Sequence, residues 1–129
     1  MMQIARRELV MGLPRILVAE DERIIAFDLC DTVEEAGFEV EGPHSDISSA
    51  MLSFQKNKPD LAILDVQLDD GIVYPLAQKL AEENVPIIFH SGQFSRKEVQ
   101  ERFPEATTLL KPCPPTEMLQ AVTEGLEAA

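Results

Sequence analysis

Short aliphatic runs alternate with amphipathic stretches along most of the chain. Arg15-Ile16-Leu17-Val18-Ala19 has the pattern of a strand buried on both faces. Over 22–36, Ile25, Leu29, Val33 and Ala36 recur at spacings of four, four and three, opposed by Asp28, Asp31, Glu34 and Glu35. That single apolar stripe predicts a helix, and Gly37 stands where a C′ glycine would close it. Phe38-Glu39-Val40-Glu41 alternates like an edge strand, which Gly42-Pro43 is expected to stop.

The same scheme then repeats. Asp46 can cap a helix running to about Asn57, with Ala50, Met51 and Phe54 inward. Leu61-Ala62-Ile63-Leu64 is a third, fully apolar strand, and a loop over 66–73 leads to a helix over 74–84 with Pro75 in its first turn. Val85-Pro86-Ile87-Ile88-Phe89 predicts the fourth strand, 95–103 a weaker helix, Leu109-Leu110 a short fifth strand and 115–127 the last helix. Strand then helix, five times over, argues for a parallel sheet with helices on both faces. The expected organisation is an N-terminal extension over 1–14 and one α/β domain over 15–129.

Composition adds exclusions. At 129 residues the chain is long enough for one core without a disulfide or metal staple. No apolar window approaches the length of a membrane span. Eleven basic against 23 acidic residues give a net charge of −12. Such a surface repels phosphate backbones and anionic lipid, so neither nucleic acid nor membrane is an expected partner. Cys30 and Cys113 have no metal-binding spacing and are expected as reduced thiols in a cytoplasmic protein. The apolar stretch after Arg6-Arg7 is too short, and too soon ended by Pro14, for an export signal.

In an open parallel sheet, ligands bind beyond the carboxyl ends of the strands. Those ends carry Glu20, Asp21 and Glu22 after the first strand, Asp65 after the third, His90-Ser91-Gly92 after the fourth and Lys111-Pro112 after the fifth. If these strands are neighbours, carboxylates, a hydroxyl and an ammonium gather on one edge. Crowded carboxylates need a cation, and an all-oxygen set suits Mg²⁺ better than zinc. A carboxylate beside Mg²⁺ and a lysine is placed to attack phosphorus, which suggests phosphoryl transfer onto an aspartate.

Leu17-Val18-Ala19-Glu20-Asp21-Glu22, Leu64-Asp65, Phe89-His90-Ser91-Gly92 and Leu110-Lys111-Pro112 resemble, in order, the four signatures of response regulator receiver domains. The resemblance implies a flavodoxin-like, doubly wound (βα)5 sandwich with strand order 2-1-3-4-5. It makes Asp65 the phosphoacceptor, supplied by a histidine kinase or a histidine phosphotransfer protein. Asp21 would bind Mg²⁺ directly, Glu20 through water, and the backbone carbonyl of Gln67 would be a further ligand. Ser91 would hold a phosphoryl oxygen and Lys111 would pair with the acyl phosphate, with Lys111-Pro112 often cis in this family. The segments from Asp65 to Leu68, Tyr74 to Leu76 and Pro86 to Gly92 look most like stand-alone receivers whose fourth strand reads Pro-Phe-x-Phe-x-Thr-Gly.

The chain departs from the family pattern in places. The loop after Asp65 lacks the usual proline, and Thr108 stands where an aromatic switch residue is common, so Thr108 would have to signal differently or not at all. Asp69 and Asp70 read as solvated turn carboxylates, one of which could approach the cation, and His44 and His90 as structural or surface residues. Ile24, Ile25 and Phe27 supply more apolar surface than one core stripe requires, and read either as a generous core edge or, for Ile25, one turn from Asp21, as a dock for the phosphodonor. The expected function is a switch or relay that acts through protein contacts, with no output domain after residue 127 and no substrate turnover. Two alternatives are a Mg²⁺-dependent aspartyl-phosphate phosphatase, which would usually carry an acid where Gln67 stands, and a pseudo-receiver that binds a partner without being phosphorylated.

Overall fold

A computed structural model describes residues 12–92 and 95–128; most of the 1–14 extension, and Gln93 near the expected site, lie outside the described residues. The chain order is β1 (Arg15–Ala19), α1 (Arg23–Glu35), β2 (Glu39–His44), α2 (Ile47–Lys56), β3 (Leu61–Leu64), β4 (Gln67–Leu68), β5 (Gly71–Ile72), α3 (Tyr74–Glu82), β6 (Ile87–Ser91), α4 (Arg96–Arg102), β7 (Thr107–Leu110) and α5 (Pro115–Ala128). Five parallel strands form one sheet in the order β2-β1-β3-β6-β7, and β4-β5 make a separate antiparallel hairpin. With the hairpin set aside, this is the expected 2-1-3-4-5 order.

The pleat sends alternate side chains to opposite faces of the sheet, so each strand feeds two cores. Leu17, Leu64 and Phe89 pack with Phe54 of α2, Leu76 and Leu80 of α3 and Val99 of α4. Ile16, Val18, Ile63 and Ile88 pack on the other side with Leu29 and Val33 of α1 and Met118 and Val122 of α5. Helix α1 has no side-chain hydrogen bond at its N-cap, Glu22. A missing cap costs about 1 kcal/mol, whereas burying Leu29 and Val33 contributes about 1.5–3 kcal/mol each. Packing therefore decides that helix.

Helix ends follow local chemistry. Gly37, at φ +97°, donates to Glu34 O at 3.0 Å while Phe38 N donates to Val33 O at 3.3 Å, the paired bonds of a Schellman motif. Asn84, at φ 62°, plays the glycine's part after α3, with its N–H on Ala81 O and that of Val85 on Leu80 O, both at 3.0 Å. Asp46 caps α2 by accepting from Ser49 N at 2.7 Å.

Three expectations are corrected. Strand β2 does not stop at Gly42-Pro43 but runs on to His44. The register passes from Leu17↔Glu41 to Ala19↔His44, so β2 inserts an extra residue there. Gly42, at φ +127°, permits the bulge, since a Cβ would lie 2.6 Å from Val18 O. Pro43 is tolerated because β2 is an edge strand. The Gly42-Pro43 bond is cis. Nor is 66–73 plain loop: the turn at Asp69-Asp70 folds it into the β4-β5 hairpin. The fourth sheet strand also begins and ends two residues later than expected, which makes Ser91 its last residue.

Candidate functional site

The chain leaves β1 for one side of the sheet and β3 lies on the other, so the crevice at their carboxyl ends is the topological switch point. Glu20 follows β1 and its N–H donates to His44 O at 2.9 Å, which fixes the acid loop against the end of β2. Asp65 follows β3 and donates its N–H to Ala19 O at 2.9 Å. Glu20, Asp21 and Asp65 thereby each place a carboxylate oxygen within 4.8 Å of the other two.

Lys111 enters from the end of β7, its N–H bonded to Ser91 O at 2.9 Å. Its Nζ donates to Asp65 Oδ2 at 3.0 Å and to Glu22 Oε1 at 3.4 Å. It also lies 2.9 Å from Glu20 Oε1, an ion-pair contact without hydrogen-bond alignment. Glu20 Oε2 accepts from Glu22 N at 3.1 Å, while the buried Oε1 has no aligned donor among the described residues. Burial pushes the Glu20 carboxyl up to about 7, against the pull of Lys111 and with the Asp65 charge adding to the rise. Burial and the Asp65 charge also raise Asp21. Burial opposes the Lys111 charge, yet Glu20 and Asp65 outweigh it and hold the ammonium above its usual range.

An all-oxygen set of three crowded acids, one of them a buried oxygen lacking a donor, fits a hard cation such as Mg²⁺. Gln67 lies on the adjoining hairpin. Val73 N donates to Val66 O at 2.8 Å, so antiparallel alternation makes Gln67↔Ile72 the non-hydrogen-bonded pair and turns the Gln67 carbonyl away from Ile72.

Ser91 shares the face of Phe89, toward α2–α4, and its buried hydroxyl has no hydrogen-bond partner among the described residues. Thr108 is paired with Phe89 in register, away from the acids, and its buried hydroxyl likewise has no partner among the described residues. Lys111-Pro112 is cis. Ile25 lines a groove of about 510 Å³ between α1 and the start of α5, with Leu29, His90, Lys111 and Met118.

Three residues have more to do than the sequence pattern suggests. Glu22 contributes an oxygen to Lys111. His90 faces the groove, buried, with Nδ1 4.0 Å from Glu20 Oε1. Burial and the Lys111 charge lower its pKa, which disfavours the charged imidazolium beside Glu20. Asp70 is no free turn acid: it accepts from Ile47 N at 2.6 Å and from Ser48 N and Oγ at 3.2 and 3.1 Å. Its partners lie more than twenty positions upstream, beyond the reach of any local signal.

The response regulator receiver domain model matches residues 16–123. The transcriptional regulatory protein PdtaR of Mycobacterium tuberculosis is 33% identical over 113 residues, or 84% of this chain, and the chain spans 54% of that protein's length. The crystal structure of a response regulator receiver protein from Sinorhizobium medicae superposes with a TM-score of 0.83 at 24% identity, over 92% of this chain and 98% of that one. The receiver domain of PhyR from Erythrobacter litoralis gives 0.80 at 26% identity, over 91% and 92% of the two chains. The family match runs from β1 into α5 and so takes in every strand that carries a site residue; the chain belongs to the response regulator receiver domain family.

Proposed function

We propose that this receiver accepts a phosphoryl group onto Asp65 from a phosphohistidine on a histidine kinase or phosphotransfer protein, with Mg²⁺ required. One observation carries the reading: the Asp65 carboxylate, 8% exposed, sits 3.0 Å from the Lys111 ammonium and within 4.8 Å of the Glu20 and Asp21 oxygens. An Asp65 oxygen forms the new O–P bond as the donor's N–P bond breaks, and the departing imidazole nitrogen keeps the electron pair. Lys111 offsets charge on the transferring group, and the unpartnered Ser91 hydroxyl is free to donate to one of its oxygens. Asp21, Glu20 through water and the Gln67 carbonyl would hold Mg²⁺, which supplies further charge neutralisation when bound.

The protein promotes only its own phosphorylation and dephosphorylation, since Gln67 occupies the position at which aspartyl-phosphate phosphatases usually carry a second acid. Two free cysteines suit a reducing cytoplasm. Among the described residues no helix is long and apolar enough to cross a membrane. Ile25, on the groove beside Lys111, is positioned to meet the phosphodonor, and output runs through protein contacts or onward transfer. Incubation with acetyl phosphate and Mg²⁺ should add one phosphoryl group by intact mass. Labelling of Asp65→Asn equal to wild type would overturn the reading.

A further inference from the structure

We propose that Asp70 is a positioning residue for the metal site, clamping the β4-β5 hairpin to the first turn of α2 and so fixing the Gln67 carbonyl. The inference rests on the reading that this pocket holds Mg²⁺ with that carbonyl as a ligand. The first amides of a helix have no partner inside it. In α2, Ser49 N is satisfied locally by Asp46, at 2.7 Å. The other two are satisfied from the hairpin: Ile47 N donates to Asp70 Oδ1 at 2.6 Å and Ser48 N to Oδ2 at 3.2 Å, with Ser48 Oγ adding a bond at 3.1 Å. The Asp69 N–H donates to Ser45 O at 3.0 Å, so the whole hairpin tip is tied to one short segment.

The same segment anchors the acids, because His44 O accepts the Glu20 N–H at 2.9 Å. His44, Ser45, Ile47 and Ser48 therefore hold both loops of the pocket, one carrying Glu20 and Asp21, the other the Gln67 carbonyl. A two-residue turn with no proline has little stiffness of its own. Charge-assisted bonds from a carboxylate to helix amides supply it instead. The Asp70 carboxyl is correspondingly held below its usual range, chiefly by Ile47 N.

The test compares Asp70→Ala and Asp70→Asn with Asp46→Ala, which removes α2's own cap but leaves the hairpin tie intact. Mg²⁺ affinity is measured calorimetrically, and amide hydrogen exchange of residues 67–73 is followed in metal-free protein. Asp70→Ala should weaken Mg²⁺ binding about 10-fold, the range for partners that orient a ligand, and speed exchange at Asp69 and Val73. Asp70→Asn, which keeps an acceptor for Ile47 N, should recover part of both. Asp46→Ala should lower thermal stability to a similar degree with Mg²⁺ affinity unchanged. Unchanged affinity in Asp70→Ala, or an equal loss in Asp46→Ala, overturns the proposal. A wild-type protein that binds no Mg²⁺ overturns the reading beneath it as well.

Discussion

Removing a carboxylate from the pocket should make the metal-free protein more stable. Asp21→Asn keeps the size of the side chain and deletes one of three acids whose oxygens lie within 4.8 Å of one another. At that separation the repulsion between two charges is about 0.9 kcal/mol in water and about 3.5 kcal/mol at an effective dielectric of 20. Asp21 is the most exposed of the three and Lys111 offsets part of the field, so a gain of about 1 kcal/mol is expected. For a domain of this size that raises Tm by about 4 °C. Calorimetry in EDTA should show the increase. Addition of Mg²⁺ should then reverse the order, because a hundredfold excess over Kd stabilises the wild type by about 2.7 kcal/mol, while the variant has lost a ligand. Lys111→Met is the opposite case: it leaves Glu20 and Asp65 without their cation and should cost about 3–5 kcal/mol. An Asp21→Asn protein that melts at or below the wild type in EDTA would refute the view that these acids repel one another until a cation joins them.

Two further expectations concern the frame around the site. Gly42→Ala should cost more than about 3 kcal/mol in denaturant titrations, because it combines a forbidden φ with a Cβ 2.6 Å from Val18 O. Gly37→Ala, also at positive φ but with nothing within 4 Å, should cost only about 1–2 kcal/mol, and equal losses would mean that crowding at Gly42 is unimportant. Tyr74 is the single tyrosine, so ultraviolet titration reads it alone. Burial and the 2.7 Å bond from its hydroxyl to Glu98 Oε1 push it up to about 12, and a midpoint near 10 would remove that bond from the solution structure. Because the folded value is raised, this contribution to stability is complete below about pH 10 and declines as pH climbs toward 12.

The strand–helix rhythm was legible because parallel strands buried on both faces are continuous aliphatic runs, as in Leu61–Leu64. The carboxyl-end acids were legible for a related reason: polar residues that end an apolar run stand out. What escaped was structure that depends on distant partners. Glu41 to His44 looks like strand followed by stop, and only pairing with Ala19 across a bulge extends it. Thr107 and Thr108 interrupt the apolar pattern yet pair with Ile88 and Phe89, so β7 begins two residues early. Asp69 and Asp70 have the composition of a solvated turn, and their bonds to Ser45, Ile47 and Ser48 exist only once α2 is in place.

The bulged end of β2 also bears on self-association. An open sheet has two borders, and here they are β2 and β7. A border strand invites another chain to add to it. Along β2 that invitation is withdrawn three times over: Glu39 and Glu41 bring charge, Pro43 has no N–H to offer, and the extra residue at Gly42 breaks the register an incoming strand would need. The regular ladder of Thr107–Leu110 is thus the border at which aggregation by strand addition should start, and the place to put a charge or a proline to prevent it.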